Sequence, residues 1–281
     1  MIRRFIFKHM NRLLGGKSKY LGFYWDMYKC AVEGMNYAWG DYSVKNLSET
    51  NIFRLLEEKS GNDIILFDGG AHEGEYTLNF MKYFAGSEKK IIIHAFEPMD
   101  KSLAIYKDAV RDVNADLHYV QCGLAEEAGT VPIFFNNDTS IIASLYKRQL
   151  DYFDIDFDKE ERIQLTTIDD YCAGNGIERI DLLKIVVEGS EYRALQGANR
   201  MLSEGRIGMI QFGFGGSDID SRHYFRDFWN LLTPLHYDLY RVMKDGLIRF
   251  EKYDEGYECF HYINFLAVYE PDDSSSRQQA S

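Results

Sequence analysis

The sequence predicts an α/β protein with a mostly parallel central sheet, an antiparallel edge and a helical N-terminal extension. Three observations carry that expectation. From Ile64 onward, short and nearly continuous apolar runs alternate with helical stretches, the pattern of strands buried on both faces. The last third holds three strand-like runs joined only by turns, which suits an antiparallel edge. The first 58 residues lack such runs and read as helical and irregular, with a glycine break at Gly15-Gly16.

Taken in order, ETNIFRLLEEKS reads as an amphipathic helix through Ile52, Leu55 and Leu56. Strands follow at IILF (64–67), IIIHAF (91–96), LHYVQC (117–122), IDLLKIVV (180–187) and IGMIQF (207–212), with helices over 76–85, 100–112 and 190–202. VPIFF and RIQLTTI add two further strands, and YDLYRVM, LIRFEKY and YINFLAVY form the edge. The expected organisation is an extension over 1–58, one domain over 59–270 and a polar, disordered tail over 271–281.

Charge narrows the partners. Asp and Glu number 44 against 32 Lys and Arg, a net charge of −12, so a nucleic-acid backbone is repelled unless a local basic patch exists. The body of the chain shows no such patch. The basic, amphipathic start MIRRFIFKHMNRLLGGKSK is the exception. It lacks the uninterrupted apolar stretch of a signal peptide and is too short and charged to span a bilayer. A helix docked on its own domain is the plainer reading, and peripheral contact with a membrane surface is the sharper one. Cys30, Cys122, Cys172 and Cys259 form no C-x-x-C pair, so no metal or redox motif is indicated, and reduced thiols in the cytoplasm are expected. The aromatic residues of HYFRDFWNLL recur at helical spacing, as a core face does.

The chemistry-bearing stretch is IILFDGGAHEGEYTLNF, a strand, a glycine turn and a helix. Ligands of open α/β sheets sit beyond the carboxyl ends of the strands, so this turn is the place to look. Its spacing is D-x-G-x-x-x-G, through Asp68, Gly70 and Gly74, and not the G-x-G-x-x-G of dinucleotide sites. Glu73 and Glu75 stand where the next helix begins and would repel a pyrophosphate. S-adenosylmethionine, a net cation, suits that acidic turn better. HAFEP places Glu97 at the tip of the second strand, where a carboxylate can accept both ribose hydroxyls. Asp68 as a mere helix cap and Glu97 as a solvated loop acid are the plainer alternatives.

The ordered blocks FDGGAHEGEYT, HAFEP, TTIDDY and LLKIVVEGSEYRALQGANRML, with GMNYAWG and IASLYKR as two more, resemble the FkbM family of S-adenosylmethionine-dependent methyltransferases over about residues 30–215. The resemblance implies a Rossmann-like methyltransferase fold and O-methylation, often of sugar or natural-product hydroxyls. It implies cofactor contacts at Asp68, Gly69, Gly70, Ala71, Gly74, Tyr76, Glu97 and Pro98, with Asp68, Gly70 and Gly74 at the methionine end. Glu188 and Glu191 would stand at the reaction centre; their plainer role is to stabilise a helix N-terminus.

The chain departs from the family pattern at three points. K-I-D-V-E-G becomes Lys184, Ile185, Val186, Val187, Glu188, Gly189; the F-E ending of the next strand becomes Phe212-Gly213; S-G-E becomes Leu47, Ser48, Glu49. Two carboxylates from adjacent strand ends are thus replaced by Val186 and Gly213, and general-base help of roughly 10²–10⁴ in rate goes with them. An impaired methyltransferase, a nucleoside-binding pseudoenzyme and a nicotinamide-dependent oxidoreductase remain as readings. His72 as a base, and Lys147 and Arg148 as contacts to an anionic acceptor, are further candidates beside structural and solvated roles.

Overall fold

The computed structural model describes residues 2–35 and 42–271. Most of GMNYAWG, and all of the polar tail but its first residue, lie outside these residues. The strands, in chain order, are β1 (Asp63–Gly69), β2 (Lys90–Phe96), β3 (Asp116–Val120), β4 (Gly123–Leu124), β5 (Gly129–Phe135), β6 (Lys159–Thr166), β7 (Ile180–Ile185), β8 (Ile207–Phe214), β9 (Tyr237–Met243), β10 (Gly246–Arg249) and β11 (Ile263–Tyr269). The main sheet runs β10-β9-β11-β8-β7-β1-β2-β3. Its β3-β2-β1-β7-β8 half is parallel; β11 is antiparallel to both β8 and β9, and β10 closes the edge on β9. Both the parallel body and the antiparallel edge expected from the apolar runs are present. VPIFF and RIQLTTI, however, leave the main sheet and pair with β4 in a separate three-stranded one, β4-β6-β5.

The helices are α1 (Ile2–Leu14), α2 (Leu21–Gly34), α3 (Tyr42–Lys59), α4 (Glu75–Tyr83), α5 (Asp100–Ala109), α6 (Ile168–Asn175), α7 (Glu191–Gln196), α8 (Asn199–Ser203), α9 (Gly216–Ser221) and α10 (Phe225–Leu232). Side chains alternate along each strand, so neighbouring residues enter opposite cores. Leu66, Leu182 and Met209 join Ile52 and Phe53 of α3 and Tyr76 and Phe80 of α4. Phe67, Leu183 and Ile210 join Leu195, Met201 and the α10 residues Phe225 and Phe228. Those last two aromatics are fully buried, which makes HYFRDFWNLL a core helix. TTIDDY has a structural reason: Thr167 caps α6 by accepting the Asp170 N–H at 2.9 Å, and Asp169 accepts the first amides of α8 from Arg200 and Met201.

Strand order reverses at β1, with β2 on one side and β7 on the other. That switch point opens a crevice at the carboxyl ends of the strands. The expected docking of the first helix is not found. Phe5, Ile6, Phe7 and Leu13 of α1 stay exposed, because the helix carries apolar residues that no element among the described residues covers.

Candidate active site

A cavity of about 440 Å³ fills the switch-point crevice, within the ~300–1,000 Å³ usual for small-molecule sites. Gly70 after β1, Phe96 of β2, Lys184 of β7 and Gln211 of β8 supply its floor, and Ser140 to Leu145 with Ile133, Ile163 and Leu165 of the small sheet supply a largely apolar wall. The small sheet therefore builds one side of the site.

The glycine turn is a closed hydrogen-bond unit. The Gly70 and Ala71 amides both donate to Phe96 O at 3.0 Å, the His72 amide donates to Glu97 Oε2 at 2.9 Å, and the Gly74 amide donates to Ala71 O at 2.9 Å. These four N–H groups are engaged inside the protein, so they form no anion cradle of the kind a pyrophosphate needs. Gly70, at φ +73°, permits the close approach of β1 to β7, since a Cβ there would lie 2.1 Å from Val186 O. Its freedom serves the neighbouring strand and not a ligand.

Glu97 is 5% exposed and lines the cavity. Burial raises its pKa, while the Met99 and His72 amides oppose that shift. Each carboxylate oxygen accepts one backbone N–H, from His72 on Oε2 and Met99 on Oε1, both at 2.9 Å. Each oxygen keeps lone-pair capacity for one more donor. A rigid, twice-accepting carboxylate beside the apolar slot of Phe96, Pro98, Met99 and Ile163 fits a nucleoside, with its ribose on Glu97 and its base against the slot.

A polar row crosses the floor, because Asp68 pairs in register with Lys184 and Lys184 with Gln211. Lys184 Nζ donates to Gly69 O at 3.1 Å and Gly70 O at 2.8 Å and lies 2.9 Å from Asp68 Oδ1, a charge contact outside hydrogen-bond alignment. Thr77 Oγ1 donates to Asp68 Oδ2. Asp68, expected at the methionine end, is fully buried and absent from the cavity wall. It neutralises Lys184, and the lysine in turn staples the carbonyls of the turn. Gly69 and Gly74 also stand behind the wall; a Cβ on Gly74 would press on Tyr106 at 3.1 Å. Gly70, Ala71, Tyr76, Glu97 and Pro98 do line the cavity. Tyr76 donates to Gln211 Oε1 at 2.7 Å, which leaves the buried Gln211 Nε2 facing the cavity without a partner among the described residues. Ser190 Oγ is in the same condition. Two such buried polar atoms are costly unless a polar ligand or a water meets them.

The far end is different. Val186 and Glu188 line the cavity, and Glu188 sits at φ +52°, a left-handed conformation uncommon for a non-glycine residue. Its carboxylate is held by Arg148, whose Nη1 is 3.1 Å from Glu188 Oε2 and whose Nε is 3.0 Å from Asp220 Oδ2. Arg148 is nearly buried, which corrects its reading as a solvated surface charge; Lys147 is exposed. Glu191, expected at the reaction centre, does not line the cavity: its carboxylate accepts the Val187 and Gly189 amides at 2.8 Å each and shapes the turn between them. Burial, reinforced by Glu188, pushes its pKa up to about 7. Gly213 stands behind Tyr262, whose ring would be 3.1 Å from a Cβ at that position. The space near position 213 is thus filled by an aromatic ring from the edge of β11.

His72, also left-handed at φ +48°, lines the cavity with Nε2 3.1 Å from Thr139 O. Sequence reasoning gave no role to Gln211, Ser190 or Tyr262. Their signal is tertiary, because nothing local marks a buried amide or hydroxyl, or a ring before a strand, as reaching this cavity. Among the described residues, no group of three or more His, Cys, Asp or Glu is placed to hold a metal ion.

A curated relative, the methyltransferase sdnD of Sordaria araneosa, is 31% identical over 164 residues, covering 48% of this chain and 60% of that protein. The chain therefore spans less than two thirds of that relative's length. Among solved structures, methyltransferase FkbM from Methylobacillus flagellatus is 20% identical with a TM-score of 0.46, over 75% of this chain and 44% of that one. An O-methyltransferase from Bacillus cereus in complex with SAH is 12% identical with a TM-score of 0.43, over 94% and 96%. The FkbM methyltransferase domain model matches residues 68–245, well over half of the chain, and sets aside the nicotinamide-oxidoreductase reading. The chain belongs to the FkbM methyltransferase-domain family, whose cofactor is S-adenosylmethionine.

Proposed function

We propose that the chain methylates a hydroxyl of a carbohydrate or natural-product acceptor, with S-adenosylmethionine as donor. The observation that carries this reading is the geometry of Glu97, fixed by two amides and open to the cavity beside an apolar slot. When bound, the cofactor supplies an electrophilic methyl group on a sulfonium. The chain's own part is to hold a ribose at Glu97, to exclude water with the Ser140–Leu145 wall, and to orient an acceptor near Val186, Gln211 and Ser190. Gln211 Nε2 donates to an acceptor oxygen, and Ser190 Oγ can donate or accept, as hydroxyl recognition requires.

A hydroxyl also needs somewhere to send its proton. Glu188 is the cavity carboxylate beside Val186, and Arg148 already engages it. Glu49, Glu73 and Glu75 also line the cavity and are further candidates to receive that proton. A second reading, a nucleoside-binding pseudoenzyme, draws on Val186 and on the Tyr262 ring packed over Gly213.

Calorimetric titration with S-adenosylmethionine tests the donor site. Wild type gives saturable heat, and Glu97→Ala weakens binding on the order of 100-fold, as loss of two hydrogen bonds to a charged group implies. Equal affinity in a folded Glu97→Ala variant would remove the basis of the proposal. A radiolabelled-methyl assay over a panel of hydroxylated acceptors then separates enzyme from pseudoenzyme.

A further inference from the structure

The N-terminal arm has its own physical character. Residues 1–29 carry seven Lys and Arg and one acidic residue, net +6, while the other 252 residues carry −18. On α1, Arg4, Lys8 and Arg12 recur at i, i+4 and i+8 and share one face. Phe5, Ile6, Phe7 and Leu13 lie on the remainder of the helix, and all four are exposed. On α2, Leu21, Trp25, Tyr28 and Val32 form a stripe at helical spacing. It runs from 70% exposed at Leu21 to 2% at Val32, so one end docks on the protein core and the other continues into solvent. Trp25 and Tyr28 stack at 5.4 Å, and Lys29 Nζ lies 5.8 Å from the Trp25 ring.

We propose that α1 and the first turns of α2 bind an anionic lipid surface. The pattern has the three parts of an interfacial anchor: basic residues on one face, bulky apolar residues on another, and aromatic rings of the kind that prefer the headgroup boundary. Charge complementarity selects the partner. An anionic bilayer attracts the arm while the strongly acidic remainder is held off, which orients the molecule. A duplex nucleic acid would use the charge but leave Phe5, Phe7 and Leu13 exposed. Among the described residues no helix is long and apolar enough to cross a membrane, so the mode is peripheral. The arm is tied to the body through Tyr28, whose hydroxyl is 3.2 Å from His261 Nε2, one residue before the Tyr262 that lines the cavity.

The test is co-sedimentation of the full chain with vesicles of phosphatidylcholine alone and of phosphatidylcholine with phosphatidylglycerol. Binding is expected to the anionic vesicles, to fall as salt shortens the Debye length from ~10 Å to ~3 Å, and to be accompanied by a blue shift in Trp25 emission that Trp25→Phe abolishes. The triple variant Arg4→Gln, Lys8→Gln, Arg12→Gln should partition about 100-fold less, from three surface charges. Phe7→Ser should reduce binding with the charges intact. Circular dichroism of each variant guards against unfolding, and none of these residues touches the cavity. Absence of binding to anionic vesicles, binding indifferent to both sets of substitutions, or a dimer by light scattering that Phe7→Ser dissolves would each overturn the proposal, the last in favour of a second copy of the chain.

Discussion

The two ends of the cavity are built on different terms. At the β1–β2 end the amides of Gly70, Ala71, His72 and Gly74 are bonded within the protein, and one carboxylate, Glu97, is left with capacity to spare. At the β7–β8 end a valine stands where the family pattern has an aspartate. A ring covers the glycine that replaces a glutamate, and Glu188 on the wall is bound to an arginine. On the proposed reading, holding a donor and activating an acceptor would be separable tasks in this fold. The first depends on backbone geometry that tolerates few changes. The second depends on a few strand-tip side chains that can be exchanged while the fold stands.

The largest effect expected from this contrast is on rate. Val186→Asp puts a carboxylate back on the cavity wall and should raise methyl transfer by roughly 10²–10⁴ while donor affinity stays level, read from single-turnover kinetics beside a binding titration. An unchanged rate would mean that the acceptor end was never short of a base. Gly213→Glu must push the Tyr262 ring by a few tenths of an ångström, so it is expected to be better tolerated beside Tyr262→Ala, read as the difference in midpoint temperature between the single and double variants.

Next comes a stability effect confined to the donor end. Lys184→Met leaves the fully buried Asp68 without its counter-charge and should cost about 3–5 kcal/mol in urea unfolding. Adding Asp68→Asn should recover part of the loss. A single variant as stable as wild type would show that the row Asp68–Lys184–Gln211 is ornamental.

The smallest effect is a pH dependence at the acceptor end. The folded chain holds the Glu191 proton up to about pH 7, whereas an unfolded carboxylate releases it near 4.3. Stability from this group is complete below that lower value and is lost as pH rises through 7, by up to ~4 kcal/mol at 1.36 kcal/mol per unit. Glu191→Gln cannot ionise, so its midpoint temperature should change less between pH 5 and 8, as a melting series would reveal.

What the sequence disclosed follows from how local each signal is. Apolar runs marked the strands of the main sheet, since a buried parallel strand is written in consecutive residues. The two extra strands were visible but not their separate sheet, because pairing with Gly123-Leu124 is a tertiary choice. That Glu97 stands on the cavity wall was legible from its place at a strand tip. Asp68 was legible as important but not as the partner of Lys184, 116 residues away. Arg148 could not be read correctly, since Glu188 and Asp220, which bury it, lie 40 and 72 residues downstream. Which way Glu191 faces was not legible, because a carboxylate at a helix start can turn outward to a ligand or inward to its own backbone, as it does here, and the sequence is the same in both cases.

The sealed glycine turn has a kinetic consequence. With the amides of Gly70, Ala71, His72 and Gly74 bonded and Lys184 fastening two carbonyls, there is little left to order when a nucleoside arrives. Those amides should resist deuterium in the ligand-free chain nearly as well as in the bound one. Residence time would then be governed by how the wall over Ser140 to Leu145 lets the nucleoside go.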